Sequence, residues 1–171
     1  TVRGDASLLN NEGVLQGNAG LMVNSSGLDN SNGQVLSDGL IALQMNNNVL
    51  LNKNGVIETI GTISIESAAS LDNSDGKILA NGDLTLALMD GLLTNSRGLI
   101  ESGSDIEISG ASAVLNQDGV LRASKNLTLY LPFFDRAASG GQYSAAEQLA
   151  IHATNGMLFS GEEFTTTGGL L

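Results

Sequence analysis

Hydrophobic and polar positions recur along this chain in a unit of about 21 residues. Six times the sequence reads Asn-x-x-Gly, and the steps from one glycine to the next are 20, 22, 21, 22 and 21 residues. The asparagines of this motif are Asn10, Asn30, Asn52, Asn73, Asn95 and Asn116. The glycines are Gly13, Gly33, Gly55, Gly76, Gly98 and Gly119, and a seventh, Gly156, follows after a gap of 37 residues. A sustained period of this length is typical of a repeat architecture, in which each unit packs on its neighbours.

Three apolar groups keep fixed positions relative to the repeat glycine. The second residue after it is aliphatic, at Leu15, Val35, Ile57, Ile78, Ile100, Leu121 and Leu158. A pair follows eight and ten residues after it, at Leu21/Val23, Ile41/Leu43, Ile63/Ile65, Leu84/Leu86, Ile106/Ile108 and Leu127/Leu129. The fifth residue before it is also aliphatic, at Leu8, Leu28, Leu50, Leu71, Leu93, Val114 and Ile151. The period-2 spacing indicates β-structure, so we predict three short strands, separated by turns, in each repeat.

Three short strands in about 21 residues predict one coil of a parallel β-helix with its aliphatic side chains inside. One coil cannot bury its apolar side alone, but stacked coils can, with their backbones hydrogen-bonded about 4.8 Å apart. Because parallel crossovers are nearly always right-handed, we predict an all-β fold, a right-handed parallel β-helix of about seven three-stranded coils with one inserted loop. A leucine-rich repeat is disfavoured because its Leu-x-x-Leu-x-Leu frame is absent, and an antiparallel sandwich would not keep this period.

The recurrent glycine and asparagine are predicted to shape the turn before the first strand. We expect the glycine to adopt a positive φ, which costs glycine little. The asparagine side chain can hydrogen-bond its own turn or form a ladder with asparagines of neighbouring coils, and a sugar-binding row of amides is the functional alternative. The residue before the glycine places Asp75, Arg97 and Asp118 on successive coils, which predicts an alternating column of charge.

The repeat is interrupted after Leu129. All six aromatic residues and the single proline of the chain fall between positions 130 and 164. We therefore predict one solenoid over residues 1–171, divided into regular repeats at 1–130, an inserted loop at 131–148 and an irregular final coil at 149–171.

The inserted loop has two interpretations. It either folds onto the solenoid wall and buries Phe133 and Phe134, or it contacts a receptor, because exposed aromatic side chains on a rigid scaffold favour interfaces. The spacing of Ser144 and Glu147 predicts a short helical turn near 145–149. The residues predicted for a binding loop are Tyr130, Phe133, Phe134, Arg136 and Tyr143.

Composition narrows the classes of function. The chain has 18 Asp and Glu against 7 Lys and Arg, a net charge of −11 and no cysteine. An acidic surface repels phosphate backbones and anionic lipid headgroups, so we expect no nucleic-acid partner. The sequence contains no run of about 18 apolar residues and no basic start before an apolar stretch, so it predicts neither membrane insertion nor a signal peptide. Disulfides and thiolate metal sites are excluded by the missing cysteines.

Catalytic chemistry is not indicated, and we predict neither enzymatic activity nor a cofactor or metal. The enzyme alternative is a β-helix that cleaves polysaccharides, which needs clustered carboxylates along one face. Glu58 and Glu101 share a column of the repeat, but Leu79 lies between them. His152 is the single histidine, and we expect it to face outward from a strand.

Two segments, Leu71–Leu86 and Val114–Leu129, carry a family resemblance. Their sequences read LDNSDGKILANGDLTL and VLNQDGVLRASKNLTL, and they resemble the repeats of filamentous haemagglutinin. The resemblance extends over residues 8–130 and, more loosely, over 149–166. That family comprises the large exoproteins of bacterial two-partner secretion, which include adhesins, haemolysins and the toxins of contact-dependent growth inhibition.

The resemblance implies a structural and adhesive stalk that meets a cell-surface receptor or glycan on a host or a neighbouring bacterium. It also implies export by a dedicated outer-membrane two-partner-secretion transporter, followed by display on the cell surface or release. The family's secretion domain carries Asn-Pro-Asn motifs, which are absent here, so we expect a fragment of the repeat region. The alternative is a receptor-contacting segment of a contact-dependent growth-inhibition toxin exoprotein, since the repeat is common to both.

Overall fold

A computed structural model of the chain describes residues 1–158, 164–166 and 169–170. For Ser67, Arg136, Ala137 and the short segments beyond residue 158 it describes the backbone alone. The described chain is almost entirely β-structure, with parallel sheets stacked as a β-solenoid of about seven turns. The predicted all-β solenoid is confirmed. The right-handed winding stays a prediction from the general preference of parallel crossovers.

Short strands follow one another along the described residues, and one short helix interrupts them. In chain order the strands are β1 Val2–Arg3, β2 Leu8–Leu9, β3 Val14–Gly17, β4 Gly20–Asn24, β5 Leu28–Asp29, β6 Gln34–Ser37, β7 Leu40–Leu51, β8 Val56–Thr59, β9 Ile63–Asp72, β10 Lys77–Ala80, β11 Leu84–Leu88, β12 Leu92–Thr94, β13 Leu99–Ser102, β14 Ile106–Ser109, β15 Ala113–Leu115, β16 Val120–Ala123, β17 Asn126–Leu131, β18 Phe134–Asp135, β19 Gln142–Ala145, β20 Gln148–Ala153, β21 Met157–Leu158, β22 Phe164–Thr166 and β23 Gly169–Leu170. The helix, α1, is Arg136–Ser139 and lies between β18 and β19.

Strands at the same position of successive coils pair in parallel and form the faces of the solenoid. The first strands, which follow the repeat glycines, form a sheet of eight strands among the described residues, in the order β22-β19-β16-β13-β10-β8-β6-β3. The second and third strands of the coils form a 13-stranded sheet that turns a corner. The long strands β7 and β9 each comprise the second and the third strand of their coil. A separate two-stranded sheet pairs β18 with β21.

The aliphatic positions of the repeat lie inside, in vertical files. Strand pairing aligns Ile57 with Ile78 and Ile78 with Ile100, and all three side chains are fully buried. On the second face, Ile63 aligns with Leu84 in the same way, and both are buried. Burial of one such side chain contributes about 1.5–3 kcal/mol. A coil gains this stabilisation only when its neighbours cover it, so the sequence period enforces stacking.

The predicted inserted loop at 131–148 is wrong, because the coil period continues through this segment. β19 pairs with β16 and aligns Leu121 with Tyr143, 22 residues later. β20 pairs with β17 and aligns Leu127 with Leu149, again 22 residues later. The sequence concealed this coil, since Tyr143 replaces the expected aliphatic residue and no Asn-x-x-Gly motif precedes it. The residues predicted to be helical, 145–149, belong to β19, β20 and the turn between them.

Three positions that sequence analysis assigned to the repeat therefore change place. Ile151 aligns with Leu129 on the second face, so the final coil does not begin where it was predicted. Leu158 lies on β21 and is 52% exposed, rather than inside. Gly156 has a φ of 127° and does not belong to the column of repeat glycines, whose seventh position is taken by Gly141.

Residues 131–153 are termed the variant coil, and residues 8–130 the regular coils. In the variant coil, the third strand is replaced by β18 and α1, and α1 takes the place of the Asn-x-x-Gly turn. The N–H of Asn116 donates to the Ser139 carbonyl (2.5 Å), just as the N–H of Asn95 donates to the Leu115 carbonyl (2.7 Å) one coil earlier. The helix thus presents its backbone to the stack at the same point as a regular coil.

The prediction that the repeat glycines adopt positive φ is wrong for the regular coils, where the residue before each glycine does so instead. These residues have φ between 52° and 57° and are Glu12, Asn32, Asn54, Asp75, Arg97 and Asp118. Glycine is needed for space. A Cβ on Gly76 would collide with the backbone carbonyl oxygen of Asn52 and lie 2.7 Å from Oδ1 of Asn73. Because that carbonyl belongs to the adjacent coil, it cannot move without disturbing the stack.

Candidate functional site

The six motif asparagines point into the solenoid and form one continuous hydrogen-bonded ladder. From Asn10 to Asn116, each Nδ2 donates to Oδ1 of the asparagine in the next coil, at 2.6 or 2.7 Å. Asn10 is 7% exposed and the other five are fully buried. The predicted ladder is confirmed. The predicted turn contact is present as well, since Nδ2 of Asn52 also donates to the carbonyl of Gly55 in its own turn (3.2 Å).

The ladder uses the hydrogen-bonding groups of its amides fully. Nδ2 of Asn73 donates to Oδ1 of Asn95 (2.7 Å) and to the carbonyls of Gly76 and Leu99 (3.3 Å each), while its Oδ1 accepts from Asn52. A buried amide that loses its partner costs about 1–3 kcal/mol, so the ladder ties one corner of each coil to the next. The alternative of a sugar-binding row of amides is wrong, because these side chains are buried and engaged with one another.

A second column of small side chains holds the corner after the first strands, and sequence analysis missed it. The hydroxyls of Ser37 and Ser102 donate to the carbonyls of Gly17 (2.8 Å) and Gly82 (2.7 Å) in the preceding coil. Thr59 makes the equivalent bond. The column also holds alanine, at Ala80, Ala123 and Ala145, with glycine in the first coil and threonine in the last, at Gly17 and Thr166. The sequence does show that the fourth residue of each first strand is small. Sequence analysis overlooked this position because it is neither a large aliphatic residue nor part of the Asn-x-x-Gly motif.

Ion pairs between successive coils lie on the outer surface. Nε and Nη2 of Arg97 donate to the two carboxylate oxygens of Asp75, each at 2.7 Å, so the predicted charge column forms at this pair. The same hydrogen bonds lower the pKa of Asp75. Nζ of Lys53 lies 3.0 Å from Oδ2 of Asp72. Exposed pairs of this kind contribute about 0–1 kcal/mol, so they support the coil register rather than drive folding.

Asp29 and Asp72 end strands β5 and β9 and stabilise the turns that follow them. Asp29 Oδ1 accepts the hydroxyl (2.6 Å) and the N–H (3.0 Å) of Ser31, and Asp72 Oδ1 accepts the same two groups of Ser74 at the same distances. The Ser31 hydroxyl is the main reason that the pKa of Asp29 lies below its usual value. For Asp72, burial raises the pKa, but the hydrogen bonds from Ser74 and Lys53 outweigh burial and the net pKa is lowered.

The carboxylates considered for an enzyme do not form a pair. Strand pairing places Leu79 between Glu58 and Glu101. Arg122, on the following coil, forms an ion pair with Glu101. Across the residues that the structure describes, no group of three or more His, Asp or Glu side chains is placed to hold a metal ion.

The residues predicted for a binding loop separate into a buried set and an exposed set. Phe134 and Tyr143 are each 1% exposed and pack edge to face with ring centroids 5.8 Å apart, so they belong to the core. Tyr130 and Phe133 are each 44% exposed. The side chain of Arg136 lies outside the described part of the structure. The wall-packing interpretation therefore holds for Phe134, whereas Tyr130 and Phe133 stay available for contact.

Tyr130 and His152 stack on adjacent coils and line a groove. β17 and β20 align these two residues directly, and their rings are nearly parallel, at 11°, with centroids 4.8 Å apart. His152 is exposed, as predicted. The groove has a volume of about 320 Å³, and it is termed the Tyr130 groove. Its lining comprises Asp90, Gly110, Ala111, Tyr130, Leu131, Pro132, His152 and Thr154.

The Tyr130 groove forms because, at one corner of the solenoid, a coil with small residues stacks against a coil with large ones. Gly110 and Ala111, on the coil before β17, occupy little space beside the Tyr130 ring. Asp90 and Thr154 add a carboxylate and a hydroxyl to a largely apolar lining. Sequence analysis missed these two polar residues, because corner positions do not follow the repeat and carry no pattern of their own.

The helix that the structure describes has four residues, and no helix in the described part of the chain is long and apolar enough to cross a membrane. Comparison with models of protein families, with curated proteins and with solved structures gives no match to this chain.

Proposed function

We propose that this chain is a segment of the structural and adhesive stalk of a large bacterial exoprotein of the filamentous-haemagglutinin type, secreted or displayed on the cell surface, and that it mediates cell contact. The observation that carries the proposal is an unbroken stack of coils, held at one corner by a buried asparagine ladder, with an aromatic groove on its side. The repeat resemblance of residues 8–130 supports the same assignment.

A stack of coils suits the task of holding a binding surface away from a cell. Each coil contacts only its neighbours and adds about 4.8 Å to the length. The ladder from Asn10 to Asn116 and the aliphatic files run through successive coils without interruption. Because the regular coils repeat the same ladder hydrogen bonds, the rod gains length while its cross-section stays constant over these coils.

The Tyr130 groove is the surface to which we assign contact with a cell-surface receptor or glycan. Tyrosine is among the residues that contribute most to binding energy when they sit on a rigid scaffold. The rings of Tyr130 and His152 supply flat contact area, while Asp90 and Thr154 offer hydrogen bonds to hydroxyl or amide groups. The net charge of −11 favours a neutral or basic partner over an anionic one.

Export of the full-length protein by an outer-membrane two-partner-secretion transporter belongs to the same proposal. The repeat resemblance supports it, and so does the sequence, which contains no cysteine. A chain without thiols cannot be cross-linked by disulfides while it passes unfolded through an oxidising periplasm.

The adhesive role is tested by comparing Tyr130→Ala with the matched control Met22→Ala. Met22 is 50% exposed on β4, five strands away from β17 in the same sheet, so its truncation removes exposed apolar surface far from the groove. We expect the unmodified chain to bind host or bacterial cells or glycans on an array. Tyr130→Ala should weaken that binding by about tenfold or more, and Met22→Ala should leave it unchanged.

Two outcomes would count against the proposal. Equal binding by Tyr130→Ala, with unchanged far-UV circular dichroism, would remove the groove from the contact surface. Absence of binding by the unmodified chain to every cell type and glycan would remove the adhesive role and leave a structural rod.

A further inference from the structure

Four Asn-Gly pairs offer the same covalent chemistry at different places in the solenoid. They are Asn32–Gly33, Asn54–Gly55, Asn81–Gly82 and Asn155–Gly156. In such a pair the backbone nitrogen of the glycine can attack Cγ of the asparagine side chain, because glycine has no side chain to obstruct the approach. All four asparagine side chains are exposed, so exposure does not distinguish them.

In three of the pairs the attacking nitrogen is engaged in the hydrogen bonds of the solenoid. The N–H of Gly33 donates to the Asn30 carbonyl (3.0 Å), and the N–H of Gly55 donates to the Asn52 carbonyl (3.1 Å). The N–H of Gly82 donates to the Gly61 carbonyl of the preceding coil (2.8 Å). A nitrogen must lose its proton before it attacks, and a bonded N–H has first to give up its acceptor.

Asn155–Gly156 differs from the other three pairs. Within the described residues, the N–H of Gly156 has no hydrogen-bond acceptor, although the backbone groups on either side of it are hydrogen-bonded. The N–H of Asn155 donates to the Pro132 carbonyl (2.7 Å), and the Gly156 carbonyl accepts from the N–H of Phe134 (3.2 Å). The attacking nitrogen and the exposed amide are thus adjacent, and no acceptor among the described residues protects the nitrogen.

We propose that Asn155 is a modification site at which the folded chain deamidates spontaneously, while the coil hydrogen bonds protect the other three Asn-Gly pairs. The nitrogen of Gly156 loses its proton to solvent base and bonds to Cγ of Asn155. The bond from Cγ to Nδ2 breaks, and ammonia leaves with a proton from solvent. Water then adds to one of the two carbonyls of the cyclic imide and opens it to aspartate or isoaspartate. The reaction consumes one water and involves no oxidation or reduction.

The modification would alter the margin of the Tyr130 groove. It adds one negative charge next to Thr154, which lines the groove, in a chain whose net charge is already −11. The isoaspartate product also lengthens the backbone between Asn155 and Gly156 by one carbon. That change loosens the bond from Phe134 to Gly156 and with it the pairing of β18 with β21.

Peptide mapping by mass spectrometry tests the proposal on the intact folded chain, incubated in mildly alkaline buffer. The same sample in urea serves as the control in which no coil hydrogen bond remains. In the folded chain we expect Asn155 to deamidate about fivefold faster than each of the other three asparagines, the factor that one lost hydrogen bond of average strength supplies. In urea the four rates should converge.

The variant Asn155→Gln provides the second measurement, since its exposed side chain should leave the fold intact. We expect it to remove the acidic species that accumulates in the unmodified chain on isoelectric focusing. The proposal is overturned if Asn32, Asn54 or Asn81 reacts as fast as Asn155 in the folded chain, or if Asn155 does not react. Persistence of the acidic species in Asn155→Gln, or an undiminished lead of Asn155 in urea, would equally overturn it.

Discussion

The regular coils and the variant coil share one wall but differ at one corner. On the wall, Ile100 pairs with Leu121 and Leu121 with Tyr143, so the inward file continues from one region into the other. At the corner, the regular coils bury an asparagine, whereas α1 of the variant coil brings in Ser139, whose hydroxyl is bonded to the Tyr143 phenol. Backbone pairing thus defines the coil, and the chemistry of a corner can change without interrupting the stack.

The end of the ladder marks the boundary between the two regions. Nδ2 of Asn116 donates to the Gln142 carbonyl (3.0 Å), and no further motif asparagine follows in the sequence. Beyond this point the interior is closed by Phe134 and Tyr143, and the exposed ring of His152 stacks on that of Tyr130, the last residue of the regular coils. The regular corners are specialised for stacking. The variant coil keeps the stack and adds surface that a partner can contact.

The largest expected loss of stability comes from adding one methyl group to the Asn-x-x-Gly turn of a regular coil. Gly76→Ala should lower the free energy of unfolding by about 3 kcal/mol or more, because the new Cβ collides with the Asn52 carbonyl of the adjacent coil. Gly4→Ala is the matched control, since nothing lies within 4 Å of a Cβ at that position. Urea titration of both variants measures the difference. Equal free energies of unfolding for the two variants would contradict the conclusion that Gly76 is needed for space.

Removal of one rung from the ladder should have the next largest effect. Asn73→Ala removes the side-chain acceptor of the Asn52 amide and the side-chain donor to the Asn95 amide, so we expect a loss of about 2 kcal/mol in the free energy of unfolding. Asn18→Ala is the control, because Asn18 is an exposed asparagine outside the motif. Chemical denaturation measures the free energy of unfolding of both variants. A loss for Asn73→Ala no greater than for the control would contradict the ladder's role.

Acid should weaken the regular coils to a smaller extent. The pKa values of Asp29 and Asp72 are lowered in the folded chain, so their contribution is fully present above the unfolded value of about 3.9 and is lost as pH falls through the folded values. For these partly exposed groups the loss is on the order of 1 kcal/mol for the pair. The free energy of unfolding, measured by urea titration between neutral pH and pH about 3, should show this loss.

The double variant Asp29→Asn/Asp72→Asn supplies the control for acid weakening. Its amides cannot titrate, so the difference in unfolding free energy between neutral and acid pH should shrink relative to the unmodified chain. An unchanged pH dependence in the double variant would assign the acid sensitivity to other carboxylates.

Much of the fold was predictable because the stack repeats one constraint many times. Ile57, Ile78 and Ile100 each face the same interior, so the same choice of residue recurs and becomes visible as a period. The ladder was predictable as one of two roles for the asparagines, because equivalent side chains of stacked coils lie one coil spacing apart. The variant coil was not predictable in this way, since Tyr143 and α1 satisfy the same geometry with different residues.

The candidate site was less predictable than the fold. Sequence spacing identified Tyr130 and Phe133 as aromatic residues near a break, but it could not separate them from Phe134 and Tyr143, which are buried. Burial depends on which coil covers a residue, and the sequence pattern did not reveal the variant coil. Asp90, from a coil earlier in the chain, joins the Tyr130 groove only because stacking brings distant corners together.

The sequence by itself determined the period, the three strands of each regular coil and the inward direction of the aliphatic files, because local alternation and stacking impose the same residue at every turn. The tertiary structure alone decided that the repeat glycines make room for a neighbouring carbonyl and that the coil period persists beyond Leu129. It also decided that Tyr130 and His152 share a groove. These features depend on contacts between coils, and such contacts leave a sequence pattern only where the same contact is repeated.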